Sequence, residues 1–207
     1  VSIEMDTELE PVLAEHAAEH ENFAYLMGDA LKVPLERIVE AMGGEPELLV
    51  ANLPYNVAAT IILAFFERMP SIRRAVVMVQ KEVADRIAAV PGTKAYGAYT
   101  VKLALHGQVT GRFEVPPRCF MPAPHVDSAV VRIDRRSEPL AESDEVARVV
   151  EAAFAQRRKT IRNSMSSNGF DKGELDRALA ATGIAPTARA ETLSVGEFIR
   201  LAGELAG

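Results

Sequence analysis

Cysteine is nearly absent from this sequence: Cys119 is the single one in 207 residues. That excludes an intramolecular disulfide framework and a cysteine-cluster zinc site, and it fits a reducing, cytoplasmic compartment. Long apolar runs are missing as well. No stretch approaches the roughly 18 apolar residues of a membrane span, so a transmembrane protein is excluded. The first residues lack the charged, apolar and small-residue succession of a secretory signal. Internal repeats and low-complexity tracts are also missing. The composition is that of a globular chain, 48% apolar and 25% charged. It suits one large domain, or a medium one with a small companion, and can bury a sizeable core.

The net charge of −6 and the pI near 5.3 look like arguments against a nucleic-acid partner. The distribution weakens them. Residues 1–50 hold 12 acidic side chains against 2 basic ones, a balance of −10. Residues 51–207 hold 21 basic against 17 acidic, a balance of +4, so a basic footprint remains open there.

Patterning predicts alternating strands and helices in the first part of the chain. Val1–Asp6 reads as the end of a strand, with Thr7 capping a helix that runs to about His20. Asn22–Met27 is a short strand, and Leu35–Met42 a helix closed by Gly43-Gly44. Glu47–Ala51 is a strand whose unbroken apolar run predicts cover on both faces. A helix over Asn56–Arg68, a strand over Ala75–Val79, and helices over Lys81–Val90 and 97–106 follow. Gln108–Val115 and Val126–Asp134 alternate like an antiparallel pair around a proline-rich loop, Pro116–Pro124. The expected fold is α/β, a mostly parallel sheet with helices on both faces. Beyond about residue 138 strand signals vanish. Asp144–Gln156, Lys159–Ser166, Lys172–Thr182 and Val195–Ala206 read as helices, the last with a Ser194/Glu197 capping box. The link Arg135–Leu140, containing Pro139, divides residues 1–136 from a small all-α domain over 137–207.

The tetrapeptide Asn52-Leu53-Pro54-Tyr55 follows an apolar strand directly, and open parallel sheets bind ligands outside the carboxyl ends of their strands. Proline keeps Leu53 extended and fixes its carbonyl. Asn52 adds a side-chain acceptor and Tyr55 a flat aromatic face. Two acceptors beside an aromatic plate suit an exocyclic amino group on a flat heterocycle. A turn with a helix cap explains the same residues equally well.

The tetrapeptide resembles the catalytic motif of S-adenosylmethionine-dependent methyltransferases that act on an amino nitrogen. Gln80-Lys81-Glu82-Val83-Ala84-Asp85-Arg86-Ile87 and Tyr96-Gly97 narrow the resemblance to the rRNA adenine dimethyltransferases. So do Phe120-Met121-Pro122-Ala123-Pro124-His125-Val126-Asp127-Ser128, Phe154–Thr160 and Arg189–Ser194. These blocks run nearly end to end in family order, and the family's KsgA-type, small-subunit branch is the most similar. The resemblance implies a Rossmann-like methyltransferase sheet, S-adenosyl-L-methionine as cofactor, and dimethylation of two adjacent adenines near the end of small-subunit rRNA. The assembling 30S subunit would be the partner, with no membrane and a monomeric enzyme. Family members carry a first strand and a glycine-rich cofactor loop ahead of the position of Val1. Neither is recognisable here, so an N-terminally incomplete catalytic domain is expected.

By resemblance, Glu4 accepts from the ribose hydroxyls of the cofactor, and Asp29, with Ala30 beside it, from its adenine. Asn52 touches its amino-acid end. Read alone, Glu4 is a surface charge and Asp29 a turn residue. The target adenine would leave its stack and lie between Tyr55 and Phe120. Phe120 read alone is equally a loop anchor packed into the core. Asn52 and the Leu53 carbonyl would stabilise the positive charge that develops on the amino nitrogen. No titratable base is needed there, because the nitrogen's proton becomes acidic after transfer.

In the helical part, Arg157, Arg158, Lys159 and Arg162 suit phosphate contacts on an RNA, or else form a solvated face. Arg73, Arg74, Arg112 and Arg118 are candidates to extend that basic face. His16 and His20 sit four apart, a spacing that can hold a metal. A glutamate-rich solvated face explains them better, and no metal is expected. Two rivals accompany the leading reading: a large-subunit adenine methylase of the macrolide-resistance type, and a non-catalytic RNA-binding or assembly factor.

Overall fold

A computed structural model of the protein describes residues 1–138, 140–141 and 143–206. Strand β1 (Ser2–Glu4) pairs in parallel with β2 (Tyr25–Met27), with Glu4 opposite Met27. Helix α1 (Glu10–Glu19) makes the crossover. Its lead-in departs from expectation. The cap is Asp6, whose carboxylate accepts from the Glu8 amide at 2.9 Å, and Thr7 opens a 3₁₀ turn instead. An ionised carboxylate is the stronger acceptor of the two neighbours. Helix α2 (Leu35–Met42) ends as predicted at Gly43, whose φ of 69° is a left-handed exit that glycine adopts without strain.

Strands β3 (Leu48–Asn52) and β4 (Arg74–Gln80) are parallel and joined by α3 (Ala58–Arg68). Helices α4 (Lys81–Ile87) and α5 (Ala98–His106) lead to β5 (Gly107–Val115) and β6 (Ser128–Arg135). The last two strands are antiparallel, as their alternation predicted, and the sheet order is β3-β4-β6-β5. Two corrections follow. The strands form two separate sheets, and two of the three pairings in the larger one are antiparallel. Furthermore, Leu48 and Val50 are 60% and 73% exposed, so β3 is not covered on both faces. It is an edge strand, and among the described residues no strand pairs with its far side or with that of β1. A cleft of about 540 Å³ lies between these two edges, lined by Ile3, Glu4, Val50 and Asn52 among others.

The apolar residues form two buried clusters. The first packs Ile62 and Phe66 of α3 against Val77 and Val79 of β4 and Val131 and Ile133 of β6. The second gathers α6 (Ser143–Phe154), α7 (Ile161–Ser166), α8 (Lys172–Thr182) and α9 (Val195–Ala206) around Phe198, Leu175 and Met165. Helix α5 serves both. Tyr99 and Leu103, four apart, face the first cluster, while Val101 and Leu105 belong to the second. Each large side chain buried this way stabilises by about 1.5–3 kcal/mol. Truncating the fully buried Phe198 to alanine should cost about 3–5 kcal/mol. The capping box holds: Glu197 Oε2 accepts from the Ser194 amide at 2.8 Å. Of the expected link, Arg135 and Arg136 are pinned, Arg135 to the carbonyls of Phe66, Met69 and Ile72 and Arg136 to that of Ala104. Pro139 lies outside the described residues.

Candidate active site

Strand β3 delivers the tetrapeptide to the carboxyl end of the sheet. Asn52 stands opposite Met78, and the Leu53 amide extends the pairing by donating to the Met78 carbonyl at 3.1 Å. Pro54 has no N–H to continue it, so the chain turns away, and the Val57 amide closes that turn on the Pro54 carbonyl. The Leu53 side chain is buried. Among the described residues no donor reaches its carbonyl, and none pairs with the exposed Asn52 side chain. Both acceptors are therefore free to meet a ligand.

Tyr55 is fixed through its hydroxyl, which lies 3.1 Å from Oγ of the buried Ser128 at the start of β6. Phe120 follows a 3₁₀ turn, Pro117–Cys119, and its amide donates to the Pro117 carbonyl. An open cavity of about 500 Å³ is lined by Glu4, Asn52, Leu53, Pro54, Tyr55, Phe120, Pro122 and Pro124. Five expected site residues thus share one cavity. Phe120 packs into neither buried cluster, which removes the loop-anchor reading.

The cofactor candidates separate. The cleft between β1 and β3 adjoins this cavity, shares Glu4, Asn52 and Leu53 with it, and takes in Ala30. Glu4 Oε1 already accepts from the amides of Met5 and Asp6, at 2.7 and 2.8 Å. Its Oε2 has no partner among the described residues. Asp29 lines neither cavity. Its Oδ1 accepts from the Leu31 amide at 2.9 Å, a bond that holds its carboxyl below the usual carboxylate range, and its Oδ2 lies 3.3 Å from Lys32. The structure gives Asp29 a turn role first.

The basic candidates also divide. Arg157–Lys159 precede α7 and do not begin a helix, because Thr160 is the cap, accepting from the Asn163 amide. Arg157 donates to the carbonyls of Lys94 and Tyr96, and Arg162 makes a bidentate pair with Asp176 at 2.5 and 2.6 Å. Arg158 and Lys159 are exposed, with no partner among the described residues. Arg73, Arg74 and Arg112 are engaged by Glu47, Asp134 and Asp85, whereas Arg118 is exposed. On α1, metal-ligating atoms of His16, Glu19 and His20 lie within 4.8 Å of one another, all three residues exposed. Glu19 is a neighbour that the two-histidine spacing alone did not supply.

Sequence reasoning missed the supports. Ser128 orients Tyr55, and a buried serine opening a strand gave no signal of that. Lys81 ties down the loop that carries Phe120 from both sides. Its amide donates to the Asp127 carbonyl at 2.8 Å, and its ammonium lies 2.8 Å from Glu114 and 3.4 Å from Asp85. The hydrogen bond to Glu114 raises the Lys81 pKa. The four-residue spacing of Lys81 and Asp85 was the available clue. Tyr96, Phe154 and Leu193, from three of the sequence blocks, meet outside this cavity's lining. The Tyr96 hydroxyl donates to the Leu193 carbonyl at 2.8 Å, its ring meets Phe154 edge-on, and the Gly92 amide donates to the Glu191 carbonyl.

The family model described as ribosomal RNA adenine dimethylase matches residues 1–207. A protein of Rhodococcus erythropolis named ribosomal RNA small subunit methyltransferase A is 42% identical, over 98% of this chain and 70% of its own length. One of the same name from Geobacillus thermodenitrificans is 43% identical, over 99% and 73%. A dimethyladenosine transferase from Plasmodium falciparum shares the fold, with a TM-score of 0.78 at 23% identity over 96% of this chain and 78% of that one. The 23S rRNA methyltransferase ErmE superposes with a TM-score of 0.66 at 27% identity, over 100% and 81%.

Proposed function

Because this chain belongs to the ribosomal RNA adenine dimethylase family, we propose that it dimethylates the N6-amino groups of two adjacent adenines near the 3′ end of small-subunit (16S) rRNA during ribosome biogenesis. The observation that carries this reading is the single cavity uniting Asn52, Leu53, Tyr55 and Phe120. The small-subunit choice rests on relatives of that name at 42–43% identity, against 27% for the large-subunit enzyme. The catalytic unit spans 1–136 and the helical unit 137–207, and the protein acts as a cytoplasmic monomer on the assembling 30S subunit. No helix among the described residues is long and apolar enough to cross a membrane.

The residues present fit S-adenosyl-L-methionine in part. The free Oε2 of Glu4 suits a ribose hydroxyl, Ala30 offers an apolar contact, and Asn52 reaches both cavities. Asp29 lines neither cavity and is held by the Leu31 amide and Lys32, so its expected contact with the adenine end gains no support from the geometry. Among the described residues no glycine run cradles the methionine end. When bound, the cofactor supplies an electrophilic methyl group.

On the substrate side, Tyr55 and Phe120 sandwich the extruded adenine, which offsets part of the unstacking cost by about 1–3 kcal/mol per base. The Asn52 side chain and the Leu53 carbonyl accept from the amino N–H groups and favour a pyramidal nitrogen, which withdraws its lone pair from conjugation with the ring. They would also stabilise the positive charge that grows on nitrogen as the N–C bond forms and the methyl–sulfur bond breaks, its electron pair staying on sulfur. The proton then leaves to water, so no side chain has to act as base. Arg158 and Lys159 contact phosphates.

The test offers radiolabelled cofactor to the protein with undermethylated small subunits or with large-subunit rRNA. Label in adenines of the small subunit supports the reading. Label in large-subunit RNA alone overturns it.

A further inference from the structure

Met121 is 100% exposed, more than any other large apolar residue described, although it sits directly between two residues that line the target cavity, Phe120 and Pro122. Its loop is stiff. Pro116, Pro117, Pro122 and Pro124 fix φ at four positions, the Pro117–Cys119 turn is closed by amides donating to Pro116 and Pro117, and Lys81 holds the far end through Asp127. A rigid loop therefore presents an unbranched apolar side chain to water at the mouth of the cavity, a solvation cost that nothing in the chain's own packing offsets. Proteins that unstack bases use such side chains: an apolar wedge, methionine among them, inserts between neighbouring bases and parts them. Methionine suits the task, being long, polarisable and adaptable in shape.

We propose that Met121 is the wedge that enters the RNA base stack as the target adenine moves into the cavity. Phe120 and Met121 then divide the work: Phe120 receives the extruded base, and Met121 fills the gap and slows its return. The inference rests on the base-extrusion reading above. Met121 contacts no reacting atom; it is a positioning residue.

The test uses a small-subunit rRNA hairpin carrying 2-aminopurine, which brightens on unstacking, at the target adenine. Wild-type protein should bind and raise the fluorescence, and Met121→Leu should do the same. Met121→Ala should bind the hairpin but raise the fluorescence about tenfold less at equal occupancy, having lost the wedge. The side chain is wholly exposed, so its truncation leaves the fold intact, which a matching melting temperature checks. An equal rise with Met121→Ala overturns the wedge while leaving base extrusion in place. Wild-type protein that binds without any rise overturns base extrusion, and the wedge with it. A Met121→Ala variant that brightens normally but binds whole subunits less tightly places Met121 against a ribosomal protein and also overturns the proposal.

Discussion

The phenol oxygen of Tyr55 lies 3.1 Å from Oγ of Ser128, joining the turn after β3 to the first residue of β6. The contact turns a flexible aromatic into a fixed plate at the cavity wall. On the proposed reading the ring face, not the hydroxyl, is the working part. Tyr55→Ala should therefore lower kcat/KM for RNA roughly 5- to 150-fold, the equivalent of one stacked base. Tyr55→Phe and Ser128→Ala each remove one hydrogen bond, a net change of about 1 kcal/mol, and should act mainly by raising KM. Tyr55→Phe as damaging as Tyr55→Ala would move the role to the hydroxyl.

The arginine cluster should separate in a salt titration. Arg158→Ala and Lys159→Ala should each flatten the slope of log Kd against log salt by about 0.7–0.9. Arg157→Ala and Arg162→Ala should leave the slope alone and lower the melting temperature, since these side chains hold the Lys94–Tyr96 backbone and Asp176. Equal slope changes for all four would contradict this division.

Alkaline pH should loosen the second cluster through Tyr96. Burial, with the Glu197 charge adding to it, pushes the phenol up to about 12, and the phenol must keep its proton to donate to Leu193. The folded pKa is raised, so the stabilisation is complete below the unfolded value of about 10 and is lost as pH climbs through about 12. Melting curves between these limits should fall more steeply for wild type than for Tyr96→Phe. Parallel curves would show that the phenol is not linked to folding.

Much of this fold was legible because it rests on local patterning. The alternation of Gln108–Val115 and Val126–Asp134 predicted β5 and β6, and Gly43 and the Ser194/Glu197 box marked helix ends where they occur. The run Leu48–Ala51 misled, because an apolar strand reads the same whether its faces are covered or its edge is bare; that depends on neighbours distant in sequence. The site divided along the same line. Asn52, Leu53 and Tyr55 fall within one tetrapeptide, and the cavity wall they form together was legible in those four letters. Ser128 and Lys81 act across the fold, and the four-residue spacing of Lys81 and Asp85 was the only hint of either. Arg157 and Arg162 were indistinguishable from Arg158 as charges in a row; only the geometry shows that Asp176 neutralises one and backbone carbonyls occupy another.

On the proposed reading Asn52 receives the target amino group in the cavity it shares with Tyr55 and Phe120. Its side chain is exposed and makes no hydrogen bond within the described residues, so Asn52→Ala should alter stability by no more than about 0.5 kcal/mol. The direct measurement is nucleoside mass spectrometry of undermethylated small-subunit rRNA after exposure to cofactor and either protein, with melting temperatures alongside. Wild type should yield N6,N6-dimethyladenosine, and Asn52→Ala at least about 100-fold less at an unchanged melting temperature, the loss expected when a preorganised transition-state contact is removed. Dimethyladenosine from Asn52→Ala at the wild-type rate would contradict the account.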